Sequence, residues 1–308
     1  MSPIFAALIP IAGLITLGWG LRKSALVHGD LWGGINKLSY VGLLPALLFS
    51  TISRADFRGL EAGPFLITVT LGFVIMGAVC LALKPVLKTD GPTYTSVFQG
   101  GLRWNGFVLF ALAAPAFGAE GAALAALVFA PTVPLINMMS VAVMTVWGKS
   151  GKKPNARRVF MRILTNPLIL GCAAGVLANA LGWFQVGPVA DTAELAGRAA
   201  LPLILLCIGA GLDFSAVRAK PLLLSLAVVL KLIISPAVFY GLGRLMGMEG
   251  LELALITAVG ATPGAAGSYV LAKEMGGDAE LTAGHVTVTT ILAFIMLPIW
   301  ISLTGYMG

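Results

Sequence analysis

Arg103, Trp104, Asn105 and Gly106 follow one another inside an otherwise apolar stretch of this 308-residue chain. A guanidinium at the depth of a lipid hydrocarbon core costs about 2.5–3.5 kcal/mol on insertion scales, so its presence there asks for a partner or a ligand. The ligand it suits is an anion. Asn105 and Gly106 contribute differently, because asparagine is a good helix N-cap while glycine lowers helix propensity by roughly 1 kcal/mol. A helix that stops and restarts at this point presents free N–H groups and partial positive charge, which again suit an anion. The plainer alternative makes Arg103 a structural charge bonded to carbonyls, or one that snorkels toward an interface.

A second interruption stands in "AVGATPGAAGSYVLA" (258–272). Proline inside a helix removes a hydrogen bond and clashes with the preceding turn. Thr262 reads as an N-cap and Pro263 as the first residue of a new half-helix, with Gly264 and Ser268 following it. Unwound backbone at membrane depth is tolerated where protein or a water-filled cavity satisfies its polar groups. The two breaks are therefore expected to meet at a cavity near the midplane, with Arg103, Asn105, Gly106, Thr262, Pro263, Gly264 and Ser268 as candidate site residues.

The elements that must hold these residues follow from composition. Of all residues 58% are hydrophobic and 11% charged, and mean hydropathy is +0.95. Soluble domains carry roughly 25% charged residues. Uncharged runs at 1–21, 62–83, 121–148 and 163–190 each reach the roughly 20 residues of a spanning helix. The chain reads as an all-α polytopic membrane protein. Ten candidate spans fall at 2–21, 32–52, 62–83, 93–116, 120–147, 163–183, 192–212, 220–244, 251–273 and 280–305.

The net charge of +7 reflects short basic loops and not a nucleic-acid surface. Arg22, Lys23, Lys84, Lys88, Lys149, Lys152, Lys153, Arg157, Arg158, Arg162, Arg218, Lys220 and Lys273 lie in loops of one side. The opposite loops hold Arg54, Arg58, Arg198 and Arg244. The positive-inside rule makes the first side cytoplasmic, including loop 148–162, and puts both termini outside. The first charges follow the N-terminal apolar run, so that run reads as a span and not as a cleaved leader.

The basic stretch "GKSGKKPNARRVFMR" (148–162) divides the chain into a first unit, 1–147, and a second, 163–308. At an offset of 157 residues "PALLFSTISRADFRGLEAGP" (45–64) meets "PLILLCIGAGLDFSAVRAKP" (202–221). Pro45, Asp56, Phe57, Ala62 and Pro64 fall on Pro202, Asp213, Phe214, Ala219 and Pro221, and Pro10 falls on Pro167. Five spans per unit is an odd number, so the units are inverted repeats, a construction common in secondary transporters. The same offset places Asn105-Gly106 on Thr262-Pro263, and Arg103 on the uncharged Gly260.

Other polar residues stand within spans. Asn137 could reach the cavity or bond between helices. Lys231 could balance charge or serve an ion path, or act structurally. His285 titrates near neutral pH, yet its place near the end of the tenth span reads as interfacial. Asp56 and Asp213 read as loop caps, and Asn166-Pro167 as an N-cap with N1 proline. Cys80, Cys172 and Cys207 lack metal or disulfide spacing and read as small core residues. No nucleotide loop, zinc motif or nucleophile elbow occurs. No catalytic residue, metal or cofactor is expected, and the chain reads as no enzyme. The rival readings are a sodium- or proton-coupled symporter of an amphipathic solute and a non-transporting sensor or channel.

In their order and spacing, "RWNG" (103–106), "PLINMMSV" (134–141), "TNPLILGCAAG" (165–175), "LPLILLCIGAGLD" (201–213) and "TPGAAGSYVLAKEMGGD" (262–278) resemble the auxin efflux carrier family. That group includes plant auxin exporters and bacterial malate or malonate permeases, within the bile-acid/arsenite/riboflavin transporter superfamily. The resemblance implies ten helices in two inverted five-helix repeats, the fourth and ninth broken and crossing at the substrate site, with elevator-type alternating access. It places the family's crossover asparagine on Asn105, its crossover proline on Pro263 and its fifth-span asparagine on Asn137. Two positions depart from the plant pattern: Trp104 replaces a proline and Leu48 a serine, and the central loop is short. These differences favour a bacterial-type carrier of small mono- or dicarboxylates in the inner membrane over an auxin carrier. The partners expected are a small organic anion, the lipid bilayer and a second copy in a homodimer, with H+ or Na+ as the open choice of coupling ion.

Overall fold

The computed structural model describes residues 3–58, 62–149, 157, 161, 164–183, 187–218 and 220–306. Among them the chain is all helical, with no strand. The helices are α1 (Pro3–Lys23), α2 (Gly29–Ser53), α3 (Ala62–Ala82), α4 (Gly91–Leu102), α5 (Gly106–Trp147) and α6 (Pro167–Leu181). They continue with α7 (Pro188–Ala210), α8 (Pro221–Leu245), α9 (Gly250–Ala261), α10 (Gly267–Met275) and α11 (Ala279–Ser302).

Among the described residues seven segments are long and apolar enough to cross a membrane, and the protein is a multi-pass membrane protein. The difference from ten expected spans has local causes. The fourth and fifth run together as one apolar segment, Gly91–Trp147. Within it Gly118 takes φ +71°, a conformation that suits glycine, and turns the chain between 106–117 and 119–147. The sixth is held to 15 residues between Pro167 and Leu181, and the ninth stops at Ala261 after 12. The basic loop 148–162 lies mostly outside the described residues, as do Lys152, Lys153, Arg158, Arg162 and Ala219 of the repeat pairing.

Side-chain caps mark several of the helix starts. Asp90 caps α4 by accepting from Thr93 N at 3.2 Å, Asn166 caps α6 through Leu168 N at 2.9 Å, and Asp278 caps α11 through Leu281 N at 2.9 Å. Asp56 and Asp213, aligned by the 157-residue sequence offset, both close turns on the N–H two residues on, Arg58 and Ser215, each at 3.0 Å. The Arg58 side chain bonded to Asp56 pulls that carboxyl down to about 2.

Two helix groups pack against each other. In the first, α1 and α7 cross so closely that a Cβ at Gly18 would lie 2.0 Å from Leu206 O, and one at Gly209 1.8 Å from Ile15 O. In the same group α6 meets α2 through Gly171 on Pro45 and Gly175 on Ile52. Small residues allow such backbone contact where lipid offers no hydrophobic drive to association. The second group joins α3, α4, α5, α8, α9, α10 and α11. Large apolar side chains such as Ile67, Leu177, Leu222 and Leu245 point outward, as a lipid-facing surface requires.

Candidate functional site

The first interruption is three residues long. After Leu102 the backbone of Arg103 becomes extended (φ −77°, ψ 134°), and helix resumes at Gly106. Asn105 caps the restart, its Oδ1 accepting from Val108 N at 3.3 Å. Glycine is needed at 106 because a Cβ there would lie 2.7 Å from the Phe129 ring. Trp104 is buried beside the same ring, 5.6 Å between centroids, and beside Phe73 at 5.9 Å. This aromatic packing holds the unwound turn.

The second interruption differs from its sequence reading. Thr262 is the C-cap of α9, not the N-cap of the next half-helix: its Oγ1 donates to Val259 O at 2.8 Å. Pro263 does not start a helix, and α10 begins at Gly267. The reason is tertiary. Pro263 pushes Thr262 into an extended conformation (φ −61°, ψ 152°), and Gly264 N is taken by Thr289 Oγ1 of α11 at 3.0 Å. The two interruptions touch, since Asn105 N donates to Pro263 O at 2.9 Å.

Beside them lies a cavity of about 570 Å³, within the size range of small-molecule sites. Its walls include Arg103, Asn105, Gly106 and Asn137 from the sequence reading, and Ala265, Ala266 and Gly267 at the start of α10. Arg103 Nη1 donates to Asn137 Oδ1 at 3.0 Å, and Nη2 lies next to Gly267. The buried Nε has no partner among the described residues. An oriented guanidinium with spare donors and the open N-terminus of α10 thus face one space, where a carboxylate would find charge and hydrogen bonds together.

Thr262, Pro263, Gly264 and Ser268 are buried away from the cavity walls. Lys231 and His285 also lie behind the second break. Lys231 is completely buried and donates to Gly260 O at 3.2 Å. His285 is 2% exposed, which corrects its reading as interfacial. The turn before it packs under the 216–218 segment, and its ring blocks any Cβ at Gly264, with Cε1 at 2.7 Å.

Several cavity residues escaped the sequence reading. Trp32, Asn36 and Tyr40 line it at a spacing of four along α2, a pattern that a search for polar and aromatic residues on one helix face would find. Tyr40 also accepts from Asn166 Nδ2 at 3.1 Å. Arg22, counted only as a loop charge, lines the cavity and donates to Ala210 O. A second cavity of about 530 Å³ shares Arg22, Ile208, Gly211 and Ala266 with the first and reaches Trp19, Lys23 and Asp213. The Ser215 hydroxyl, its N–H, that of Ala216 and nearby Arg22 hold the Asp213 carboxyl below its ordinary value against the opposing effect of burial. Among the described residues no group of His, Cys, Asp and Glu could hold a metal.

Comparison with known proteins gives a consistent assignment. The family model described as "Membrane transport protein" matches residues 3–301. A protein of Rhizobium meliloti named "Putative malonate transporter" is 26% identical over 300 residues, covering 95% of this chain and 93% of its own. An "Uncharacterized transporter" of Methanothermobacter thermautotrophicus is 25% identical over 299 residues, covering 93% and 94%. The hepatic sodium/bile acid cotransporter of Homo sapiens is 31% identical over 99 residues, 31% of this chain and 28% of its own.

Proposed function

The chain belongs to the membrane transport protein family that contains the auxin efflux carriers, and from that premise we propose that it is a secondary transporter of a small organic anion, a mono- or dicarboxylate such as malonate or malate. The observation that carries this reading is Arg103, held by Asn137 at the contact of two interrupted helices and lining a cavity. A guanidinium fork matches a carboxylate. The name of the Rhizobium relative agrees in substrate class.

The mechanism proposed is elevator-type alternating access built on ten spans in two inverted repeats, with the broken fourth and ninth crossing at the site. Equivalent turns at Asp56 and Asp213 and touching breaks at Asn105 and Pro263 support the repeat. The group of α1, α2, α6 and α7 would serve as scaffold, and the group carrying both breaks would move against it. Both termini would face outside, with the basic loops in the cytoplasm of a bacterial cell. Gly29–Leu38 buries no residue within the chain, which leaves a face for a second copy in a homodimer.

Counterflow in proteoliposomes with labelled malonate, malate and indole acetate tests the reading. Saturable exchange of at least one carboxylate is expected, and absence of exchange for all three sinks it. The sodium-coupled alternative draws on the 99-residue similarity to the bile acid cotransporter. It predicts uptake that collapses when sodium is replaced by potassium.

A further inference from the structure

Lys231 is a costly side chain to bury. Its exposure is 0%, it stands in the middle of α8, and among the described residues no carboxylate pairs with it. The ionisable groups that face it are Cys80 of α3 and His285 of α11. An unpaired ammonium at membrane depth asks for a function.

The local backbone is shaped to place it. Residues Leu230–Ile234 form a π turn within α8, an irregularity found often at functional sites. Trp300 Nε1 satisfies the Leu232 carbonyl at 2.9 Å, so the turn is braced from α11. The turn brings Lys231 Nζ to 3.2 Å from Gly260 O, and Ser235 Oγ donates to the same oxygen at 3.0 Å. Gly260 lies in the last turn of α9, just before the second break. Contact is close there: a Cβ on Gly260 would lie 2.7 Å from Pro236 Cα. The end of a half-helix carries partial negative charge on its free carbonyls. In carriers built from broken helices, such carbonyl ends are where coupling cations are held.

We infer that Lys231 is a tethered cation: its ammonium stands at the carbonyl end of the broken α9 where a metal-ion-coupled carrier would hold an alkali cation, so this protein moves its anion without sodium. The inference rests on the carrier reading of the Arg103 cavity and adds the identity of the resident charge at the second break. Lys231 is a positioning group for the α9 end and touches no substrate, because it lies behind Gly260 and outside the cavity walls.

The test begins with the unaltered protein. Counterflow of labelled malonate, malate and indole acetate in sodium, potassium or choline media should agree within about twofold for whichever acid exchanges, as should thermal midpoints in detergent with sodium or choline chloride. A requirement for sodium overturns the inference while leaving the carrier reading intact. Lys231→Ser should lose about tenfold or more of its exchange in choline medium and regain part of it with sodium or methylammonium, which can enter the vacated space. Its thermal midpoint should rise with either cation where that of the parent does not. A purely structural lysine predicts loss without cation rescue, and a folded Lys231→Ser indifferent to both cations overturns the inference. Should Lys231→Ser not fold, Lys231→Arg is expected to exchange equally in sodium and choline; dependence on sodium in that variant counts against the tethered charge. If no carboxylate exchanges at all, yet the midpoint of Lys231→Ser rises with sodium, the carrier reading fails and the tethered cation stands.

Discussion

The two interrupted helices use opposite ends of the helix. At the first, charge and cap lie in the unwound turn itself: Arg103 faces the cavity, and Asn105 caps the helix that follows. At the second, no charge lies in the turn; Thr262 closes the preceding helix and Lys231 reaches its Gly260 carbonyl from α8. The 157-residue offset read from the sequence aligns these two breaks, and their chemistry differs. In the proposed reading one break offers a cation to a ligand, and the other already has its cation.

This contrast yields a graded set of outcomes. Arg103→Ala should weaken carboxylate binding by about 10- to 100-fold, since charge-assisted hydrogen bonds contribute about 1.5–3 kcal/mol, and Cys172→Ala should leave binding near the parent value. Equal effects of the two substitutions in calorimetry would remove Arg103 from the site. Gly264→Ala should come next, costing about 1–3 kcal/mol of stability because its Cβ meets the His285 ring at 2.7 Å. A thermal midpoint unchanged in Gly264→Ala would mean the second break is looser than the packing shows.

Asn105→Ala should cost about 1 kcal/mol through the lost cap on Val108, while the bond from its backbone N–H to Pro263 O survives. Denaturation in detergent measures that loss, and an effect as large as that of Gly264→Ala would show the side chain doing more than capping. The smallest effect belongs to a loop behind both breaks. Burial alone would raise the Asp278 carboxyl, but Leu281 N–H, Lys220 at 2.7 Å and Thr93 hold it below its ordinary value. A lowered folded value contributes stability above the unfolded value of about 3.9 and loses it as pH falls through the folded one. Asp278→Asn should therefore lower the midpoint by a few degrees at neutral pH and flatten its fall in acid. An unchanged acid profile would assign that fall to other carboxylates.

The breaks were legible because proline, glycine and asparagine act on their own backbone. Where each helix restarts was less so. Gly106 agrees with the reading from its cap, whereas the second restart moved from Pro263 to Gly267 because Thr289, 26 positions on from Pro263, takes the Gly264 N–H. Such a partner is invisible to local propensity. His285 was misplaced for a related reason, since a position near a helix end says nothing of the segment folded over it. Lys231 stood out as a buried charge, but its target carbonyl depends on a π turn that apolar sequence does not announce. The α2 face of Trp32, Asn36 and Tyr40 was readable in principle from its spacing of four, but nothing local to α2 says that it faces the breaks.

The central claim is that the break carrying Arg103 is where the anion binds. Titration of malonate into purified parent protein and into Arg103→Gln, followed by calorimetry at fixed salt, tests it most directly. The account predicts saturable binding to the parent and at least about tenfold weaker binding to the variant with its thermal midpoint preserved. Equal affinity in the two proteins would contradict it.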